Sequence, residues 1–348
     1  MAEKLDEINF ESQDKRRIID HIEDFSNDCL NAWKQTTEIA LPLDYQSLKK
    51  VVLLGMGGSG IAGETIKELL YDSPLAIEVI HDYDIPGYVD ANTLVVANSY
   101  SGNTEETIIG LENAIEKGAK IIALTTGGKL ADLAHRHSFP LVHFGYDSPP
   151  RMAFAYSFTL LLAIFVRLGQ YHLPRHYEDI CHQVRGLTES FRYEAPLENN
   201  PAKKLAGALF NKMPIICATP LLRSIGLRFK CQLNESAKAL ALVEFLPEMH
   251  HNGIEGFLTP KIPRHYIILR SKYDRDRNKL RADITAEIIK KSGFDYSEHT
   301  LSEAADPLAE HLALVVFCDY VSYYLAILNG VDPDVIDNIK YLKSKLQH

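Results

Sequence analysis

Residues Val51 to Glu64 read Val-Val-Leu-Leu-Gly-Met-Gly-Gly-Ser-Gly-Ile-Ala-Gly-Glu, an apolar run that breaks into glycine and then takes up helical spacing. This predicts strand, loop and helix in immediate succession. Glycines let the backbone approach a ligand closely, and the start of the helix presents unpaired N–H groups and a positive dipole end to an anion. A phosphate-bearing molecule is the expected ligand. The same stretch satisfies G-x-G-x-x-G, and Asp82, at the end of a second strand-like run Ala76–Asp82, stands where a dinucleotide-binding unit places its ribose acid. The pattern alone leaves sugar phosphate and nicotinamide both open.

Strand-like and helical runs alternate from this point on. Strands are expected at Val51–Leu54, Ala76–Ile80, Thr93–Ala97, Lys120–Leu124 and Pro140–His143, with helices between them near Gly60–Tyr71, Thr104–Lys117 and Lys129–His135. A long apolar helix, Met152–Leu168, and a more charged one, Tyr177–Glu194, follow. After Tyr193–Ala202, whose prolines and asparagines suggest a linker, the alternation resumes with strands at Pro214–Ala218, Tyr266–Arg270 and Asp295–His299. Helices are expected there near Ala202–Phe210, Leu222–Leu240, Asp274–Ser292, Glu303–Leu328 and Pro333–Leu346. Alternation of this kind specifies an α/β chain with two doubly wound, mostly parallel-sheet lobes, three layers each, whose ligands bind at the carboxyl ends of the strands. With 348 residues there is length for two cores. The expected divisions are a helical lead-in at 1–45, packed on the first sheet, a first lobe at 46–195 and a second at 196–348.

A net charge of −9 and a pI near 5.9 leave no basic footprint of the kind nucleic acid or an anionic membrane surface requires. Cys29, Cys181, Cys217, Cys231 and Cys318 are scattered without C-x-x-C spacing, which suits reduced structural thiols and a cytoplasmic protein. No apolar signal core is expected at the start of the sequence, and no later run is expected to approach the length needed to span a bilayer.

A second loop, Asn98-Ser99-Tyr100-Ser101-Gly102-Asn103-Thr104, follows a buried strand and opens a helix. Converging hydroxyls and amides suit the several oxygens of a phosphate without a lysine. Asn103 or Thr104 is expected to cap the helix, but capping accounts for one polar side chain rather than Ser99, Ser101 and Thr104 together. Thr125-Thr126-Gly127-Gly128-Lys129-Leu130 also has the look of an anion loop, though a glycine turn into the next helix is the simpler account.

The stretch Ser99-Tyr100-Ser101-Gly102-Asn103-Thr104 resembles the Ser-x-Ser-Gly-x-Thr loop of the sugar isomerase (SIS) domain family. Gly57-Gly58-Ser59-Gly60, Asn234-Glu235-Ser236-Ala237-Lys238 and Pro247-Glu248-Met249-His250-His251-Asn252 narrow the resemblance to bifunctional phosphoglucose/phosphomannose isomerases. The resemblance implies two SIS-type lobes and interconversion of glucose 6-phosphate, and mannose 6-phosphate, with fructose 6-phosphate. It implies that Gly57, Gly58, Ser59, Ser99, Ser101 and Thr104 hold the phosphate and that Arg151 faces the reacting carbons. Glu235 would be the base, His251 would open the ring, and a lysine near the end would join them, here Lys343 rather than Lys340 or Lys345. It also implies a homodimer in which the histidine reaches the partner's site.

The residue types suit those roles. One carboxylate removes a proton beside a carbonyl and returns it one carbon along through a cis-enediol, with Ser236 and Ala237 leaving room for a ligand beside Glu235. The bland alternative is a solvated or lysine-paired helix face. His251 lies on a loop, where an imidazole can pass a proton between ring oxygen and hemiacetal hydroxyl, and His250 is the neighbour that would take the role if the motif slips by one. Arg151, fixed after two prolines, is a permanent cation for an enediolate oxygen. Glu248 and His250 do not make a metal-ligand spacing, so no metal is expected, and chemistry that returns the proton to its substrate needs no cofactor. A nicotinamide-dependent dehydrogenase would leave the serine loop and Asn234–Lys238 unexplained. A non-catalytic sugar-phosphate sensor would keep the serine loop without needing Glu235, His251 and Arg151.

Overall fold

The structure, a computed structural model, describes residues 2–7, 10–36, 39–258 and 262–346. The chain divides into two compact units, Asp24–Gln183 and a second made of Met1–Glu23 with Val184–His348.

In the first unit, β1 (Lys50–Leu54), β2 (Ala76–Ile80), β3 (Thr93–Asn98), β4 (Lys120–Thr125) and β5 (Leu141–His143) form one parallel sheet in the order β2-β1-β3-β4-β5. The central strands read as continuous apolar runs because both faces are covered. Val52, Leu54, Val95, Ala97, Ile121 and Ala123 pack against α4 (Glu105–Glu116) and α5 (Gly128–His137) through Ile108, Leu111, Leu130 and Leu133. Leu53, one residue out of phase, faces α3 (Gly57–Leu69), where the absent side chain of Gly63 brings the helix close. The apolar helix α6 (Phe154–Arg167) is buried behind α3 and α2 (Phe25–Gln35).

The second sheet repeats this order with four parallel strands, β7-β6-β8-β9: β6 (Met213–Ala218), β7 (Leu242–Phe245), β8 (Arg264–Leu269) and β9 (Asp295–His299). Ile215, Cys217, Tyr266 and Ile268 pack on α10 (Asp276–Lys291). The other face lies under α9 (Arg223–Glu235), whose Gly226 approaches Ile216, Ala218 and Val243. β7 has no counterpart among the expected strands. It is a four-residue edge with a largely solvated Leu242, so it carries no buried apolar run.

Three expectations need correction. The lead-in does not pack as one piece on the first sheet: α1 (Ile18–Glu23) starts where Asp14 accepts from Ile18 N and Ile19 N, and packs on α11 (Pro307–Leu328) in the second unit. Residues 37 and 38 of that lead-in lie outside the described residues. The division near 195 and the linker at Tyr193–Ala202 are also displaced. The units part within α7 (Tyr177–Thr188), and Asn200 is fully buried, accepting from Lys203 N at the start of α8 (Pro201–Leu209) and donating to the carbonyls of Phe191 and Arg192. Its composition marked a cap, not a linker. Third, α11 is 22 residues of membrane-spanning length and hydropathy, with 94% of its apolar window buried inside the protein. Its ridges pack on α8 and α9.

On the α11 side of the second sheet, His265 donates to or accepts from Ser297 Oγ at 2.9 Å, and the His299 ring lies 4.6 Å from that of Phe317. Burial presses both imidazoles down to about 4 from an ordinary 6.5. Between these values the unfolded chain takes up protons that the folded one refuses, so stability is full above about pH 6.5 and falls as the pH drops toward 4. The urea midpoint should fall from pH 7.5 to pH 5, and less steeply in His299→Leu. Equal pH dependence in both proteins would remove His299 from this account.

Candidate functional site

In each sheet the chain leaves the first strand to one side and returns on the other, so the crevice where a ligand sits is at the carboxyl ends of β1 and β3 in the first and of β6 and β8 in the second. The first crevice holds the glycine and serine loops. Gly57, Gly58 and Ser59 form the opening turn of α3, with Ser59 N and Gly60 N turned onto the Met56 carbonyl. A side chain at Gly60 would strike the Gly55 carbonyl at 2.5 Å and the His81 ring at 2.6 Å, so only glycine closes this turn.

His81, unremarked in the sequence, clamps the loop. Its Nδ1 lies 3.0 Å from the Gly55 carbonyl and its Nε2 3.2 Å from Glu64 Oε1. The hydrogen bond to Glu64 outweighs burial and holds the imidazole above its ordinary range. The available signal was its position, directly after the strand that neighbours β1. Asp82 accepts from Tyr83 N and faces solvent at the same edge.

Across the crevice, Asn98 Nδ2 donates to the Ser59 carbonyl at 3.2 Å and joins the two loops. Ser99 is buried and shares a 2.9 Å hydrogen bond with Thr104 Oγ1, while Ser101 is exposed. Thr104 stands at the N-cap of α4 but its hydroxyl makes no capping bond. Asn103 does not cap α4 either: its Oδ1 accepts from Lys129 N at 3.1 Å, in the first turn of α5. The Ser99 and Thr104 hydroxyls bond each other, Ser101 Oγ accepts from Asn103 N at 3.3 Å, and the asparagine side chain serves the neighbouring helix. Gly102 has φ +66°, and a side chain there would overlap the Gly127 carbonyl.

The Thr125–Leu130 loop acts as a buttress. Thr126 donates to the Tyr100 carbonyl from both N (3.1 Å) and Oγ1 (2.8 Å), and Leu130 N donates to the Gly102 carbonyl. Arg151 lies 6% exposed in a short 3₁₀ turn, Pro150–Met152. A side chain at Gly58 would approach the Pro150 carbonyl at 3.5 Å, so the glycine loop lies against the turn that carries Arg151. The first unit therefore brings Gly57, Gly58, Ser59, Ser99, Ser101, Thr104 and Arg151 to one end of its sheet.

The second unit carries Glu235, His251 and Lys343. Glu235 is the last residue of α9, which stops five residues before the expected Leu240. Lys238 adopts φ +54° and Ala239 N donates to the Leu233 carbonyl, a left-handed stop. Lys238 Nζ donates to the main-chain carbonyl of Glu235, leaving the carboxylate unpaired with this lysine. The α9 helix is fixed from below by Arg228 and Gln232, which both bond Asp319 of α11, at 2.6 and 3.0 Å.

The two histidines separate cleanly. His250 Nε2 lies 2.7 Å from Thr285 Oγ1, which itself donates to the Arg281 carbonyl, and its Nδ1 faces Arg281 Nη1 at 2.9 Å. Burial first, then the Arg281 charge, pushes its pKa below the ordinary value, and both of its nitrogens are engaged. His251 is exposed. Helix α12 (Asp337–Leu346) buries none of its residues, and Lys345 Nζ lies 5.7 Å from the Tyr341 ring centroid on the same helix. At the second sheet's own crevice, the buried Glu310 carboxylate accepts from Ser271 Oγ and Lys272 N in the loop after β8.

A doubly wound sheet with hydroxyl and amide donors at its switch point, followed by a second sheet of the same order, defines a double SIS-domain protein. Residues 45–165 match the SIS domain model and residues 198–346 the bacterial phospho-glucose isomerase C-terminal SIS domain model. The bifunctional phosphoglucose/phosphomannose isomerase of Caldicellulosiruptor bescii is 37% identical over 321 residues, covering 90% of this chain and 94% of the relative. The chain belongs to the bifunctional phosphoglucose/phosphomannose isomerase family. It is also 37% identical over 227 residues to the D-glucosamine-6-phosphate 4-epimerase of Sulfolobus acidocaldarius, covering 64% of this chain and 70% of that one. Among solved structures, a hypothetical protein of Thermus thermophilus has the same fold, with a TM-score of 0.77 at 17% identity, covering 99% of this chain and 94% of that one.

Proposed function

We propose that this chain interconverts glucose 6-phosphate and mannose 6-phosphate with fructose 6-phosphate. The observation that carries the reading is the cradle of Ser99, Ser101 and Thr104 beside the first turn of α3, at the crevice of a family member's first sheet. Hydroxyls and first-turn amides bind the dianionic phosphate without neutralising it. His251 passes a proton between ring oxygen and hemiacetal hydroxyl, and the open chain then enolises. Glu235 takes the proton from the carbon beside the carbonyl and returns it to the neighbouring carbon, while Arg151 stabilises the enediolate oxygen. No electrons leave the substrate, so the reaction asks for no cofactor and no metal. Lys343 enters by resemblance alone, as a further cation near the reacting oxygens.

The same reading makes the protein a cytoplasmic homodimer in which His251 serves the partner's site. Support comes from the exposure of His251 and from cysteines that are all free thiols. A sedimentation experiment giving only monomer at assay concentration overturns the dimer.

The direct test is a coupled assay starting from fructose 6-phosphate, with separate detection of glucose 6-phosphate and mannose 6-phosphate. Both products are expected. Tight binding without turnover would convert the reading into a sensor. The similarity to a 4-epimerase gives a second reading, and glucosamine 6-phosphate belongs in the same assay: its epimerisation at carbon 4, with fructose 6-phosphate unreacted, would replace the isomerase reading.

A further inference from the structure

Tyr100 occupies a position in the serine loop that a phosphate site leaves unused, yet its phenol is fully engaged. Its hydroxyl donates to the Tyr146 carbonyl at 2.6 Å and accepts from Ser148 N at 3.1 Å. The segment it grips is held from the far side as well: Tyr146 OH donates to Asp28 Oδ2 at 2.5 Å, and the Tyr146 ring stacks on Tyr156 at 4.3 Å. Ser148 leads directly into Pro149 and Pro150, whose rings fix φ, and then into Arg151. Met152 N closes the turn onto the Pro149 carbonyl at 2.8 Å. At its other end, the Tyr100 main chain is bonded by Thr126. One residue thus joins the loop bearing Ser99, Ser101 and Thr104 to the turn bearing Arg151, through short, proline-stiffened backbone.

We propose that Tyr100 is a positioning residue that sets the Arg151 guanidinium in register with the phosphate loop, so that a sugar held by its phosphate presents its reacting oxygen to that cation. The proposal rests on the role given to Arg151 above. The phenol itself touches backbone, not substrate. Its removal frees the Ser148 amide and lets the Arg151 turn drift from the loop, and a displacement of about 1 Å at a reacting centre is worth on the order of 100-fold in rate.

The experiment is a double-mutant cycle on Tyr100→Phe and Arg151→Ala, with kcat and KM for fructose 6-phosphate and the thermal midpoint measured for each protein. Tyr100→Phe keeps the ring and should lower kcat by about 10- to 100-fold while KM changes less than about 3-fold, because the hydroxyl cradle is intact. Arg151→Ala should lower kcat more. If Tyr100 acts through Arg151, the double variant is no slower than Arg151→Ala, since residues working as one unit are not additive. Multiplied losses in the double variant would overturn the proposal and leave the Arg151 assignment standing. A KM rise in Tyr100→Phe matching its kcat loss would do the same, making Tyr100 part of the phosphate loop. Full activity in Arg151→Ala would overturn the Arg151 role itself, and the tether with it.

Discussion

Glu235→Gln is expected to lower kcat for fructose 6-phosphate isomerisation by on the order of 10²–10⁴-fold, the usual worth of a positioned general base, with KM little changed. The amide keeps the size of the carboxylate and loses only its basicity. The fold should tolerate it: Lys238 holds the end of α9 through the main-chain carbonyl of residue 235, and Arg228 and Gln232 hold the helix body through Asp319. Exchange of the carbon 1 proton of fructose 6-phosphate with solvent deuterium, followed by NMR, should vanish together with turnover. Near-normal exchange in a folded Glu235→Gln protein would move the base elsewhere. His251→Ala separates the other proton transfer. An exposed imidazole that only opens the ring should be dispensable for an acyclic ketose phosphate, so the variant should be far more impaired on cyclic substrate. Equal loss on both would remove the ring-opening role, and His250, engaged at both nitrogens, offers no ready substitute.

The second large effect is expected on binding. Ser101→Ala with Thr104→Ala should raise KM for fructose 6-phosphate by on the order of 10²–10⁴-fold, since each lost hydrogen bond to a charged ligand costs about 1.5–3 kcal/mol. The loop should keep its shape without these hydroxyls, because backbone bonds hold it: Gly102 N to the Ser99 carbonyl, Thr126 N to the Tyr100 carbonyl and Leu130 N to the Gly102 carbonyl. Thr104→Ala also removes the partner of the Ser99 hydroxyl, so its effect includes a reoriented Ser99. A circular dichroism melt at the wild-type temperature, with KM unchanged, would reject this loop as the phosphate site.

Much of this chain was legible from local pattern. Eight of the nine strands among the described residues were expected, and the central ones, β1, β3, β4, β6 and β8, carry apolar runs because a strand covered on both faces must be apolar, whereas the edge strands β2 and β9 are partly polar and partly exposed. The strand-glycine-helix passage at Leu54–Gly60 was equally plain, since a turn that admits no side chain at Gly60 admits only glycine. What escaped was decided by contacts between distant segments. β7 is a strand because β6 pairs with it, not because Leu242–Phe245 prefers one. Asn200 is a buried cap although its surroundings read as linker, and α9 stops at Glu235 because Lys238 turns left-handed beside Asp332, whose carbonyl lies 3.3 Å from Lys238 Nζ.

The site divides in the same way. Sequence by itself determined the two loops and the chemistry of their hydroxyls, since these are consecutive residues whose spacing is set by the backbone. Only the tertiary structure shows His250 engaged and His251 exposed, because the engagement depends on Thr285 and Arg281 some thirty residues away along the chain. The same holds for His81 against Gly55 and Tyr100 against Ser148. A hydrogen bond is made between atoms a few ångströms apart, whatever their separation along the chain. Residues that position others therefore leave little trace in local sequence, whereas residues that form a turn or present a hydroxyl leave a clear one.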